Sequence, residues 1–211
     1  MLRNSREKLS LENMPNLYVI SGCNGSGKTT ASFTVLPQML DCDEFINADE
    51  IARGLSPLNP NRSAIEAGRL LIAKIDKLIE EKKDFAFETT LATRSYTRTI
   101  QKARSYGYQI TLLFFWLDSV DLAFERVKTR VLEGGHEVPN TVIQRRYYSG
   151  ITNLFKLYIP ICDYWMLFNN SFTPSELIAE GYADNNPLIK NYTTFANIKQ
   201  LSLHDPKAKS Y

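Results

Sequence analysis

The sequence predicts an α/β domain: a five-stranded, mostly parallel sheet with helices on both faces and a helical lid. Three observations carry that expectation. Gly22-Cys23-Asn24-Gly25-Ser26-Gly27-Lys28-Thr29 fits the phosphate-binding (P-loop) pattern G-x-x-x-x-G-K-[ST] and lies between a short apolar run and a helical segment. Downstream, strand-length apolar runs alternate with helix-length amphipathic ones, the order of strands joined by crossover helices. The run from Gln109 to Leu117 is almost continuously apolar, as suits a parallel strand covered on both faces.

Taken in order, residues 1–15 are polar and read as an N-terminal arm. Leu17, Tyr18, Val19 and Ile20 form the first strand and feed the loop. A helix from Thr29 to Leu40 is expected to pack on the sheet through Phe33, Leu36 and Leu40, with Pro37 kinking or shortening it. Glu44 to Asp49 reads as a second strand, followed by a proline- and glycine-bearing loop, RGLSPLNPNRS. From Arg62 to Lys82 an amphipathic helix carries Ile65, Leu71, Ile72, Ile75, Leu78 and Ile79 on one face. Asp84 to Thr90 is the third strand. Arg94 to Tyr106 is a polar helix that Gly107 stops, and Gln109 to Leu117 is the fourth strand. Helices from Asp121 to Leu132 and from Asn140 to Tyr158 flank a break at Glu133–Pro139 and form the lid, about residues 121–158. Tyr164 to Phe168 is the fifth strand, Pro174 to Gly181 a closing helix, and the residues after 185 a loosely packed tail. The domain therefore runs from 16 to 185, with 186–211 as tail.

Composition narrows the classes. A hydrophobic share of 44% and a charged share of 23% describe an ordinary globular chain, and a net charge of +2 calls for neither nucleic acid nor a membrane surface. Cys23, Cys42 and Cys162 make no C-x-x-C pair, which speaks against a disulfide framework or zinc site and suits a reducing cytoplasm. Cys23 fills a free position of the loop.

The loop's chemistry follows from its residue types. Gly22, Gly25 and Gly27 let successive backbone N–H groups converge on phosphate oxygens, with Asn24, Ser26 and Thr30 completing the nucleotide-binding set. Lys28 supplies a cation to the terminal phosphates and Thr29 a hydroxyl to Mg²⁺; the helix N-terminus adds its partial positive charge. In a parallel sheet, ligands bind beyond the carboxyl ends of the strands. Asp49, Glu88, Thr89, Asp118 and Asn169 therefore belong on one rim with the loop, with Asn47 beside Asp49. Asp49 is placed either to deprotonate an acceptor hydroxyl or to cap a helix. Glu88 either holds substrate hydroxyls, serves an outer-shell water on Mg²⁺, or ends its strand in solvent. Arg126, Arg130, Arg145 and Arg146 surround the Gly134-Gly135-His136 turn, where a hinged flap of guanidinium groups would neutralise charge on a moving phosphoryl group and exclude water. His136 reads as structural.

Together GCNGSGKTT, INADEIARGLSP, FETTLATRS, RVKTRVLEGGHEVP, IQRRYYSG and LFNNS resemble the zeta-toxin family of phosphate-loop kinases, in its stand-alone branch, over about Asn16 to Ser171. The resemblance implies a toxin that phosphorylates the amino sugar of UDP-N-acetylglucosamine or a related nucleotide sugar with ATP or GTP and Mg²⁺, with an antitoxin protein as a possible partner, although no antitoxin segment is evident in the sequence. It implies Lys28 and Thr29 as nucleotide and metal contacts, Asp49 as catalytic base, Glu88 and Thr90 as sugar-binding positions, and Arg126 or Arg130 with Arg145 or Arg146 as lid arginines. The chain departs from the founding toxins at FETT, where they carry Gly after the Glu. Two other readings stand beside this one. A polynucleotide or nucleoside kinase would use Arg145, Arg146, Tyr147 and Tyr148 as a basic track with stacking aromatics. A nucleotide-dependent switch ATPase acting through a protein partner would use Asp118 as its hydrolytic carboxylate.

Overall fold

The structure, a computed structural model, describes residues 14–135, 137–183 and 185–203. Residues 1–13, most of the N-terminal arm, and His136 lie outside that set. Seven strands form one sheet in the order β2-β3-β1-β4-β5-β6-β7. They are β1 (Asn16–Ser21), β2 (Phe45–Ile46), β3 (Phe85–Thr89), β4 (Gln109–Trp116), β5 (Tyr164–Asn169), β6 (Glu176–Tyr182) and β7 (Leu188–Ile189). The first five are parallel; β6 and β7 continue the sheet antiparallel. Val19 pairs with Phe87 on one side and Leu112 on the other, so β1 runs down the middle and its loop emerges at the sheet's centre.

The helices are α1 (Lys28–Met39), α2 (Ala48–Leu55), α3 (Ala64–Glu80), α4 (Tyr96–Ser105), α5 (Val120–Leu132), α6 (Asn140–Asn153) and α7 (Tyr192–Leu201). After α6 the chain keeps coiling through a widened π-type turn, Leu154–Tyr158. Side chains alternate between two faces, the period of a pleated strand. Leu17, Val19, Phe85, Phe87, Ile110, Leu112 and Trp165 pack against residues of α3 to α7, while Tyr18, Ile20, Leu113 and Phe115 pack with Cys42 and, on α1, Ala31. Helices thus cover both faces, α2 to α7 on one and α1 on the other.

Several expectations are corrected. The sheet has seven strands, not five. Pro174 to Gly181 is no helix: Glu176–Tyr182 is β6, drawn out because the open edge of β5 offers a full ladder that local helix preference cannot match. The chain beyond 185 is no loose tail. It adds β7 and then α7, whose Asn191 side chain accepts from the Thr194 N–H at 3.0 Å and whose Phe195 and Ile198 are buried. The second strand is two residues long, and α2 begins where it was expected to continue. On α3 the buried stripe is Ala67, Leu71, Ile75, Leu78 and Ile79; Ile65 and Ile72 are exposed. Phe33 on α1 is exposed and meets Phe45 edge-on, with ring centroids 6.1 Å apart. The side chains of residues 34–39, with Leu36 and Pro37, lie outside the described set; the α1 backbone runs on to Met39.

Candidate active site

The phosphate loop is held from several sides. Ser21 Oγ donates to the Leu113 carbonyl at 2.8 Å, fixing the end of β1. Gly22, at φ +141°, lies so close to β4 that a Cβ would collide with the Phe115 carbonyl oxygen. Gly22 is therefore required for packing, and neither it nor Ser26 faces the cavity described below. Lys28 Nζ, 6% exposed, donates to the Cys23 carbonyl at 2.8 Å and stands 3.4 Å from Glu88 Oε1.

Glu88 is not a solvated strand end. Its Oε2 accepts from Thr29 Oγ1 at 2.7 Å and from Asn47 Nδ2 at 2.9 Å, so a carboxylate, a hydroxyl and an amide meet beside the loop's lysine. This oxygen-rich corner suits a hard divalent cation that keeps several waters, as Mg²⁺ does. Among the described residues no three His, Cys, Asp or Glu side chains gather into a denser metal cluster.

Asp49 belongs to the first turn of α2 and does not end a strand. The cap is Asn47, whose Oδ1 accepts from the Asp49 N–H at 2.8 Å, leaving the Asp49 carboxylate out of the capping role. A cavity of about 1480 Å³ runs from the loop to this carboxylate. It is lined by Asn24, Gly25, Gly27, Lys28, Thr29 and Thr30 at one end and by Asn47, Asp49, Glu88, Thr89 and Thr90 at the other. Thr89 Oγ1 and Thr90 Oγ1 accept from the Leu91 and Ala92 N–H groups, so both hydroxyls also shape the turn after β3.

The lid arginines all reach the cavity but do different things. Arg126 holds the chain after β5, donating to the carbonyls of Asn170 and Ser171, each at 2.9 Å. Arg130 also borders a smaller hollow of about 120 Å³ with Thr29, Asp49 and Glu50. Arg146 donates to Asn24 Oδ1 in the loop at 3.0 Å. Burial lowers the Arg146 pKa, Asp49 opposes that shift and neighbouring Arg145 adds to it. The α5 end closes by a Schellman pair, Gly134 N–H to the Val131 carbonyl and Gly135 N–H to that of Arg130, and this turns the chain back toward α6.

Two rim expectations are corrected. Asp118 is exposed and does not line the cavity. Asn169 turns away, its Oδ1 accepting from the Ser171 N–H and hydroxyl; its neighbour Asn170 faces the cavity instead. Sequence reasoning also missed Thr93, Ser95 and Tyr96, which line the cavity. Their signal was position, immediately after a strand that ends on the rim. Tyr147 is buried with its hydroxyl on the Leu117 carbonyl, so it is no stacking platform.

Cys23 is buried in the loop, and desolvation pushes its thiol up to about 11 against the pull of Lys28. A thiol raised this far stays protonated at pH 8 and is a poor nucleophile. Iodoacetamide at that pH is therefore expected to leave Cys23 unmodified in the native chain and to modify it after denaturation, read by peptide mass mapping. Fast native labelling would contradict this burial.

A mostly parallel sheet that delivers a phosphate loop, a carboxylate beside its lysine and arginines of α5 and α6 to one cavity is the layout of a phosphate-loop kinase. Within that class the chain belongs to the zeta toxin family, whose sequence model matches residues 3–157. An uncharacterized protein of Haemophilus influenzae is 32% identical over 127 residues, 60% of this chain and 88% of its own length. Among solved structures, the AvrRxo1-ORF1:AvrRxo1-ORF2 complex with sulphate ions superposes with a TM-score of 0.72 at 18% identity, over 94% of this chain and 69% of that one. The PezAT toxin–antitoxin system of Streptococcus pneumoniae gives 0.62 at 14% identity, over 94% and 91%. At such identities the likeness is one of fold. Among the described residues no helix is long and apolar enough to cross a membrane.

Proposed function

We propose that this protein transfers the γ-phosphoryl group of ATP or GTP to a hydroxyl of a small molecule, with UDP-N-acetylglucosamine or a related nucleotide sugar as acceptor. The observation that carries the reading is the shared cavity, with Lys28 and Thr29 at one end and Asp49 at the other. The AvrRxo1-ORF1:-ORF2 complex, similar to this chain in fold, has also been solved with ATP, which supports reading this chain as nucleotide-binding. Asp49 accepts the proton as the acceptor oxygen bonds to phosphorus and the bond to the β-phosphate oxygen breaks. Arg130, Arg145 and Arg146 neutralise charge on the moving group, and the flap excludes water. Thr29 and Glu88 would hold Mg²⁺, whose chemistry is to neutralise phosphate charge. Thr89, Thr90 and Glu88 supply hydrogen bonds for acceptor hydroxyls. An antitoxin protein is the partner this reading implies, in line with the PezAT toxin–antitoxin system above.

Of the residues the two other readings would use, Tyr147 is buried in the core and Asp118 lies off the cavity, which favours the small-molecule acceptor. The test is label transfer from γ-labelled ATP, with Mg²⁺, to UDP-N-acetylglucosamine. A labelled sugar nucleotide is the expected product. ATP binding with no labelled sugar would overturn this acceptor and send the search to other nucleotides.

A further inference from the structure

Asn170 sits in the chain after β5, far from the phosphate loop in sequence and against it in space. Its Nδ2 donates to the Ser26 carbonyl at 2.7 Å, and a Cβ on Gly27 would run into the same nitrogen. Asn170 itself is clamped: its N–H donates to the Trp116 carbonyl at 2.8 Å and its carbonyl accepts from Arg126 at 2.9 Å. The next residues are held as well, because Ser171 Oγ accepts from the Asp118 N–H at 2.8 Å while donating to Asn169 Oδ1. A rigid support thus ends in one amide that grips one peptide of the loop.

A trans peptide is planar, with its C=O and N–H pointing in opposite directions. Holding the Ser26 oxygen therefore fixes where the Gly27 N–H points. Gly27 is at φ +80°, where a peptide without such a hold turns easily because glycine has many accessible conformations. We propose that Asn170 is a positioning residue for phosphate binding: its hydrogen bond to Ser26 aims the Gly27 N–H at the anion held in the loop, and Arg126 supports it from behind. This rests on the reading of the loop as a nucleotide site. It gives Arg126 a different task from the phosphate contact expected of a lid arginine, and it explains why Gly27 accepts no side chain.

Asn170 also lines the cavity, so a contact with the nucleotide base is the competing explanation. The two differ on a ligand that has no base. Calorimetric titration of the full-length chain with MgATP and with magnesium tripolyphosphate is compared for the native protein, Asn170→Ala and Asn170→Asp. Positioning predicts that both ligands lose affinity by the same factor in Asn170→Ala, about tenfold, the scale of one hydrogen bond beside a charge. Asn170→Asp, which keeps the shape but sets a carboxylate against the Ser26 carbonyl, should lose more. Melting temperatures without ligand should stay within a few degrees of native. Native-like tripolyphosphate affinity in both variants would overturn the inference, whether or not ATP affinity falls. Failure of the native chain to bind either ligand would sink the nucleotide reading and this inference with it.

Discussion

Asp49→Asn is expected to lower kcat for phosphoryl transfer by about a thousandfold while leaving the KM for ATP near native. Asparagine has the same size and cannot take a proton. The bond that starts α2 uses the backbone N–H of residue 49 and the side chain of Asn47, so the substitution leaves the cap in place. What disappears is the carboxylate proposed as the base, and a positioned base contributes roughly 10² to 10⁴ in rate. A thousandfold loss corresponds to about 4 kcal/mol of the barrier. The variant also removes the negative charge that opposes desolvation of Arg146. Arg146, which donates to Asn24 in the loop and is proposed to neutralise the moving phosphoryl group, loses that counter-charge, so both effects lower kcat. Steady-state kinetics on a labelled acceptor give the combined loss. A kcat within tenfold of native would remove Asp49 from the base role and leave the acceptor to be activated by another group.

How much of this site was legible in the sequence depended on the range of the interactions involved. The phosphate loop was legible because its chemistry is local: Gly25, Gly27, Lys28 and Thr29 line the cavity from within five positions, while the need for Gly22 comes from β4. Glu88 could be placed on the rim by the rule that ligands bind at strand ends. Its bonds to Thr29 and Asn47 could not be read, since they join three separate elements. Asn170 shows the same limit from the other side. It and Asn169 are alike in sequence, and only the turn after β5, set by Ser171 and Arg126, decides which of them meets the loop. The misread helix at β6 was a contest between local preference and a neighbouring strand edge, and the edge prevailed. In α7 the few apolar residues were too sparse to outweigh polar surroundings, yet two of them fill the core. Asp49 was sought at the end of a strand and found in a helix one turn away from it, which kept it on the rim because β2 is only two residues long.

Lys28→Met should abolish measurable ATP binding at millimolar nucleotide and also destabilise the fold, and a second substitution divides these effects. In the native chain the ammonium stands 3.4 Å from a Glu88 carboxylate whose side chain is only 11% exposed. Methionine fills similar volume but leaves that carboxylate buried without its cation. The cost expected for such an uncompensated charge is about 3 kcal/mol, on the order of 10 °C in Tm for a chain of this size. Glu88→Gln in the same chain removes the orphaned charge, and its amide oxygen can still accept from Thr29 and Asn47. The double variant should therefore melt well above Lys28→Met alone, so that the two changes are far from additive in stability. Affinity for ATP should not return, because no cation is restored at the terminal phosphates. Recovery of both properties would mean that Lys28 serves only to neutralise Glu88. Recovery of neither would mean that Glu88 is held at its place by Thr29 and Asn47 alone, and that the ion pair contributes nothing to the fold.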